Sequence, residues 1–419
     1  MIIPDLPRLA FLSVHTCPLA ALGGKETGGM NVYVRELARE LARMGAAVDV
    51  FTRSQNPAIP RVVRLAEGAR VIHLPAGPQA PMARERLHAH LDEFVHGVET
   101  WRLANGIDYD LLHGNYWLSG VAGLALRARW GVPLVQMFHT LGALKNGAGV
   151  AAEREPALRL AEERRIVAAA DRLVAANAIE RAGLVSACGA DATRVAVIPC
   201  GVDTDLFTPG DAAAAREALG LDPGPLLLYV GRIAPIKGLQ TLLDTVGCVR
   251  GAGTAARLAV IGGETDEPVD GHEADVRRRA ASLGLGDAVT FVGAQPQERL
   301  RDWYVAADVT VLPSYYESFG MVALEAMACG SPVVASRVGG LQSTVRDGET
   351  GLLVPEGDPC ALAGTITRVL GDGALRWRLG REGRRWALQH RWPCVAEAIC
   401  REYATLAESA GELATGRCV

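Results

Sequence analysis

The sequence predicts an α/β chain of two tandem domains, each a parallel sheet wound with helices. Three observations carry that expectation. The chain has 419 residues, too many for one ordinary core, and two units of about 200 residues each are the natural division. Short β-branched runs alternate with amphipathic helical stretches, the rhythm of βαβ units. That rhythm breaks once, at 195–211, into the Pro-, Gly- and Asp-rich "VAVIPCGVDTDLFTPGD", and then resumes.

The first unit opens with "RLAFLSV", residues 8–14, read as a buried parallel strand. A loop follows, "HTCPLAALGGKETGGM", and then an amphipathic helix from about Asn31. Val34, Leu37, Ala38, Leu41 and Met44 recur at three- and four-residue steps, and Gly45 stands where a helix stop belongs. "AAVDVFT" returns as a strand, so the crossover is right-handed. "RVIHLP", "DLLHGN", "PLVQMFHT" and "RLVAAN" repeat the pattern. Each ends in polar residues, and doubly wound sheets bind ligands beyond the carboxyl ends of their strands. His113, Asn115, His139, Thr140 and Asn177 fall there. After the junction come "PLLLYVGRI", "RLAVIGG", "AVTFVGA", "DVTVLPS" and "PVVAS". The division is residues 1–200 and 201–380, each Rossmann-like, facing a cleft. A helical tail at 381–419, rich in Arg and Trp from about 373, is either a solvated face or a strap across both domains.

Composition narrows the function. Hydrophobic residues make up 49% and charged residues 21%, a globular balance. A formal net charge of −4 gives no nucleic-acid footprint. Nine scattered cysteines, an odd number without Cys-x-x-Cys, argue for reduced thiols rather than a disulfide framework. No His-Glu-x-x-His spacing occurs, and no metal site is expected. No stretch nears the ~18 apolar residues of a membrane span. A cytoplasmic enzyme is the expectation, with the oligomeric state open and a homodimer among the options.

Three constellations point to an anion. Gly28 and Gly29 precede the first helix; their backbone can approach a ligand closely, and the helix start offers free N–H groups to a phosphate. Equally, they could form a plain surface loop. "YVGRIAPIKGL" places Arg232 and Lys237 in one loop after a strand, suited to a leaving diphosphate; a solvated pair is the plain alternative. "SYYESFGMVALEAMACG" puts Glu317 and Glu325 on either side of a helix start. There the N–H groups of Phe319, Gly320, Met321 and Val322 would attract a diphosphate, while the two acids meet hydroxyls at its two ends. A sugar, a diphosphate and a ribose in line make a nucleotide-sugar.

Together, "GRIAPIKG", "ESFGMVALE", "EAMACGSPVVAS.VGG" and "V.DG.TGLLV" resemble the retaining glycosyltransferases with two Rossmann domains, the GT-B architecture. That group includes sucrose synthase, sucrose-phosphate synthase and the inositol-phosphate glycosyltransferases of mycothiol synthesis. "SVHTCPLA" and "GGMNVYVRELARELARMG" are most similar to the last. The resemblance spans about residues 8–390. It implies that Glu317 binds donor-sugar hydroxyls, Phe319 to Val322 hold the donor through backbone N–H, and Glu325 binds ribose. Arg232 and Lys237 would neutralise the leaving diphosphate, Gly29 would approach its distal phosphate, and His139 would sit beside the donor sugar. On the acceptor side the resemblance implies Asn31, Arg84, Tyr116, Thr140 and Arg159, a phosphate pocket. Arg84 stands where those relatives usually carry lysine, and Asn115 where many carry histidine. Inositol phosphate and fructose 6-phosphate are both acceptor readings. No cofactor is implied, since the nucleotide-sugar is a substrate. A non-catalytic nucleotide-sugar-binding protein and a nicotinamide oxidoreductase are the rival classes; the latter lacks its glycine fingerprint.

Overall fold

The computed structural model describes residues 7–20, 27–263 and 271–415. The part of the first glycine-rich loop at 21–26 lies outside the described residues. The first sheet has eight strands: β1 (Arg8–Leu12), β2 (Ala47–Arg53), β3 (Val62–Ala66), β4 (Ala69–Leu74), β5 (Leu111–Asn115), β6 (Leu134–Met137), β7 (Arg172–Ala175) and β8 (Val195–Val197). Their order is β3-β4-β2-β1-β5-β6-β7-β8, parallel except for β3. The second has six: β9 (Leu226–Val230), β10 (Arg257–Ile261), β11 (Val289–Gly293), β12 (Val309–Leu312), β13 (Val333–Ser336) and β14 (Leu352–Val354). Their order is β11-β10-β9-β12-β13-β14, all parallel. Chain order reverses between β1 and β5 in one sheet and between β9 and β12 in the other. Crevices open beyond the carboxyl ends of strands at such points.

Both sheets are covered on two faces, which is why their strands read as nearly continuous apolar runs. One buried cluster lies on the outer face of the first sheet around Phe94, Trp117 and Ile166. Another lies on the outer face of the second around Leu242, Val260 and Ile366. The third runs through both domains, from Tyr33 and Leu37 to Tyr304, Met327, Trp392 and Tyr403.

Three boundaries differ from the sequence expectation. The first helix is Gly29–Arg43, two residues earlier than read, because the Asn31 side chain accepts from the Gly28 N–H at 3.0 Å and closes the first turn. It stops as expected: Gly45 has φ +105°, a conformation that costs little only for glycine. Strand β3 was not anticipated. It is an exposed antiparallel edge joined to β4 by a tight turn at Gly68, and its mixed burial leaves no alternating pattern to read. Strand β8 lies inside the stretch read as the junction. Only three residues long, it completes the edge of the first sheet against β7 before the chain crosses over.

The tail forms two helices, Gly373–Ala387 and Trp392–Thr415. The last returns to the first domain. Tyr403 Oη and His113 Nδ1 share a buried hydrogen bond of 2.6 Å, Glu402 pairs with Arg172 at 3.0 Å, and the Trp392 ring meets Tyr33 edge-on.

Candidate active site

Between the two sheets lies a cavity of about 280 Å³, lined from the first domain by Thr27–Met30, Met137, His139, Thr140 and Cys200, and from the second by Gly231, Arg232, Lys237, Gln295, Glu317–Val322 and Glu325, among others. A smaller one of about 80 Å³ adjoins it, lined by Arg84, Tyr116, Thr140, Lys145, Glu155, Arg159, Tyr316 and others. Thr140, Arg232, Lys237, Glu317 and Ser318 belong to both. The larger therefore gathers the donor residues anticipated from sequence, and the smaller gathers the acceptor residues except Asn31.

Two helix starts converge on the larger cavity. Gly29 opens the first helix, and a Cβ added there would come within 3.1 Å of Met321 Sδ on the helix Met321–Ala328. Gly320, which precedes that helix, has φ +90° and leaves room for Leu341. The amides of Gly29, Met30, Phe319, Gly320, Met321 and Val322 donate to no protein acceptor among the described residues. Backbone donors at two facing helix starts form an anion cradle from both domains at once. Asn177 ties the domains beside it, donating Nδ2–H to Ser318 O at 2.6 Å.

The loop after β9 brings up the cations. Tyr229 Oη donates to Arg232 O at 2.7 Å. Lys237 Nζ meets Glu317 Oε1 at 2.5 Å, and Ser314 Oγ lies 3.3 Å from the same oxygen. This pair sits where the two cavities meet, so one carboxylate and one ammonium face the larger space on one side and the smaller on the other.

Glu325 is more deeply placed. Tyr304 Oη donates to Oε2 at 2.8 Å and Gln297 Nε2 to Oε1 at 3.1 Å. Burial pushes its carboxyl up to about 7, against the hydrogen bonds from Tyr304 and Gln297 and the Arg35 charge, which pull it down.

His139 follows β6 with φ +60°, and Tyr116 follows β5 with φ +75°. Left-handed backbone at two bulky residues stores strain, and strain of this kind collects at functional sites. Burial, with help from His113 and His15, pushes the His139 imidazole down to about 3, so it is neutral at pH 7. Its Nε2 lies 2.9 Å from Asn115 Oδ1. The Asn115 amide is oriented by the carbonyls of Leu12 and His113, both 3.4 Å from its Nδ2. The carbonyl end therefore faces the ring, Nε2 carries the proton, and Nδ1 is left as an acceptor.

The acceptor side is a charge lattice. Arg159 is fully buried. Its Nε donates to Glu163 at 2.7 Å, Nη1 to Tyr116 Oη at 2.9 Å, and Nη2 to the Thr140 carbonyl; Glu155 also lies 2.9 Å from Nη1. Lys145 sits between Glu153 at 2.7 Å and Glu155 at 2.8 Å. Burial opposes the Arg159 charge, yet Tyr116, Glu163 and Glu155 hold its pKa above the ordinary value. Burial raises Glu163, with Arg159 opposing, whereas Arg159 and Lys145 outweigh burial at Glu155 and lower it. Asn31 lies outside both linings. It is buried, and its Nδ2 donates to Thr16 Oγ1 and Cys17 O, each at 2.7 Å. That places Asn31 as the brace between the loop after β1 and the first helix.

Sequence reasoning did not single out Gln297, Tyr304, Arg35, Lys145, Glu155 or Glu163. Gln297, Tyr304 and Arg35 are set by contacts between distant segments, and the short spacings of Lys145, Glu155 and Glu163 do not distinguish a buried pair from a solvated one. Among the described residues no group of three or more His, Cys, Asp or Glu is placed to hold a metal, and no helix is long and apolar enough to cross a membrane.

Comparison with known proteins supplies the family. The profile "Glycosyl transferases group 1" matches residues 211–386, and "Glycosyltransferase Family 4" matches 27–206. A D-inositol 3-phosphate glycosyltransferase from Acidothermus cellulolyticus is 44% identical over 405 residues, covering 94% of this chain and 90% of its own. The chain belongs to this glycosyltransferase family. A second relative of that description, D-inositol 3-phosphate glycosyltransferase 2 from Catenulispora acidiphila, is 43% identical, with 95% of each chain covered. Among solved structures, sucrose-phosphate synthase from Thermosynechococcus elongatus superposes with a TM-score of 0.90 at 38% identity, covering 96% of this chain and all of the other. The fold is thus GT-B, and the cleft is that of a glycosyltransferase.

Proposed function

We propose that this glycosyltransferase moves a sugar from a nucleoside-diphosphate sugar, a UDP-sugar first of all, to a hydroxyl of a small phosphorylated polyol of the inositol phosphate kind, with retention of configuration and without a metal. The observation that carries the reading is the shared wall between the cavities. Lys237, Arg232 and Glu317 touch both spaces, with facing helix starts behind them. The relatives named for D-inositol 3-phosphate support the acceptor, and the setting we propose is the cytoplasm, on the odd and scattered cysteines.

In this reading the diphosphate lies between the amides of Gly29 and those of Phe319 to Val322. Glu317 takes sugar hydroxyls, and neutral His139 accepts from another through Nδ1. Glu317 is engaged with Lys237 and assigned to the sugar hydroxyls rather than to covalent attack, and we assign front-face attack. The acceptor oxygen forms its bond to the anomeric carbon as the carbon–phosphate oxygen bond breaks. The acceptor's proton passes to the departing phosphate oxygen. Arg232, Lys237 and the helix starts stabilise the charge that develops there. The Arg159 lattice fixes Tyr116 and Thr140 so that the acceptor is held in line.

The test is a panel of UDP-sugars with inositol 3-phosphate or fructose 6-phosphate, read by UDP release and by the anomeric coupling of the product. Turnover with the inositol ester, a retained anomer and no loss in EDTA are the expected results. Transfer to fructose 6-phosphate alone would favour the second acceptor, for which the solved sucrose-phosphate synthase speaks. Donor binding without turnover would make the chain a binding protein.

A further inference from the structure

The donor carboxylate Glu325 is not held by its own domain alone. Arg35 lies on the first helix, in the other domain, and its Nη2 donates to Gln297 Oε1 at 2.6 Å. Gln297 Nε2 in turn donates to Glu325 Oε1 at 3.1 Å. Arg35 is itself aimed by Glu36, which accepts from its Nε at 2.6 Å and from Arg39 at 2.9 Å.

The donors and acceptors of these side chains fix the arrangement in two ways. A guanidinium only donates and an ionised carboxylate only accepts, so an amide between them has one allowed orientation. Gln297 is a directional adapter that neither Glu nor Met can replace. Second, each carboxylate oxygen has two acceptor positions. Gln297 occupies one on Oε1 and Tyr304 one on Oε2. One position on each oxygen remains, and Glu325 lines the cavity. That stoichiometry matches two neighbouring hydroxyls, a vicinal diol.

We propose that Arg35 and Gln297 are a cross-cleft positioning pair that orients Glu325 to read the 2′,3′-diol of the donor ribose, so that ribose recognition requires contact between the two domains. This rests on the donor-site reading above. The ligand that prefers the domains in contact must itself favour that contact, because coupling is reciprocal.

The experiment is calorimetric titration of the full chain with UDP, 2′-deoxy-UDP and 3′-deoxy-UDP, with ADP and GDP alongside. The parent chain is expected to bind UDP at least about tenfold more tightly than either deoxy form, since a hydrogen bond to a charged group is lost. Arg35→Met and Gln297→Leu should each weaken UDP about tenfold. They should weaken the deoxy forms by no more than about twofold, so the preference for ribose collapses; a packing defect alone would lower all three together. Arg35→Lys should restore part of the preference. Arg35→Met lies on a partly exposed helix face and keeps the test available if Gln297→Leu does not fold. Full ribose discrimination in a folded Arg35→Met chain overturns the inference while leaving the donor site intact. A parent chain that binds no nucleoside diphosphate, or that ignores the deoxy substitutions, removes the donor reading and this inference with it.

Discussion

At the second-domain wall of the cleft, the amides from Phe319 to Val322 donate to no protein acceptor among the described residues. At the first-domain wall, every nitrogen of Arg159 already has an acceptor. One wall leaves its amides for a ligand to complete, and the other has most of its donors engaged by protein. The difference teaches where binding free energy comes from. Unpaired amides gain directly from an anion, whereas a guanidinium already flanked by carboxylates gains less and chiefly holds its neighbours still. The resemblance implied Arg159 in an acceptor phosphate pocket. In the structure it lines the smaller cavity, its charge is countered by Glu155 and Glu163, and it fixes the Tyr116 hydroxyl and the Thr140 carbonyl.

The comparison breaks most clearly at Arg159 itself. Arg159→Ala should cost about 3–5 kcal/mol of stability by leaving Glu163 without its buried counter-charge and Glu155 with Lys145 alone. A denaturation midpoint within error of the parent would show that the lattice is not structural. Lys237→Ala should do the reverse. Turnover should fall about 10²–10³-fold, the loss typical of one donor to developing charge, while the melting temperature barely moves; an unchanged rate would take Lys237 out of the reaction.

Glu325 sharpens the contrast through pH. Its carboxyl is held up to about 7, against 4.5 for the free group. The folded state therefore keeps a proton that the unfolded state releases, and the ionisation cost appears as pH rises from 4.5 to 7. A diol needs the ionised form, so nucleotide affinity should fall as pH drops below about 7, by up to about tenfold per unit. Glu325→Gln should bind about 10–100-fold more weakly at pH 8 and lose that pH dependence in titration calorimetry. Asn115→Leu frees His139 to take the other tautomer and should lower kcat/KM about fivefold, the worth of about 1 kcal/mol. The smallest effect expected is at Gly29→Ala. The added methyl meets only the flexible end of Met321, so stability should shift within about 0.5 kcal/mol, leaving any change in diphosphate affinity to report the close approach.

Much of this was legible beforehand, for identifiable reasons. Doubly wound sheets write themselves as apolar runs ending in polar residues, so β1, β5, β6, β9 and β12 could be placed and their ends searched for ligands. Gly29, Lys237, Glu317 and Gly320 belong to short segments shaped by local backbone, and local backbone is what a sequence displays; the structure brings all four to one cavity. Gln297, Glu163 and Asn115 are different. Their roles come from partners 28, 4 and 24 positions away, and for the first and last the meeting is made by tertiary packing. Arg159 and Glu163 do sit at helical spacing, but nothing in that spacing distinguishes a buried pair from a solvated one. Asn31, which the resemblance implied on the acceptor side, is seen joining the loop after β1 to the first helix, a contact between segments 14 and 15 positions apart that no local spacing displays.

The return of Trp392–Thr415 to the first domain has a consequence for synthesis. Domains ordinarily fold in order as a ribosome adds about 5–20 residues per second. Here Tyr33 and His113 must wait for Trp392 and Tyr403, which lie some 290 positions or more further along the chain. Until then the opening domain carries an uncovered apolar seam, and a nascent chain interrupted before Trp392–Thr415 would expose that seam to whatever sticky surface it meets first.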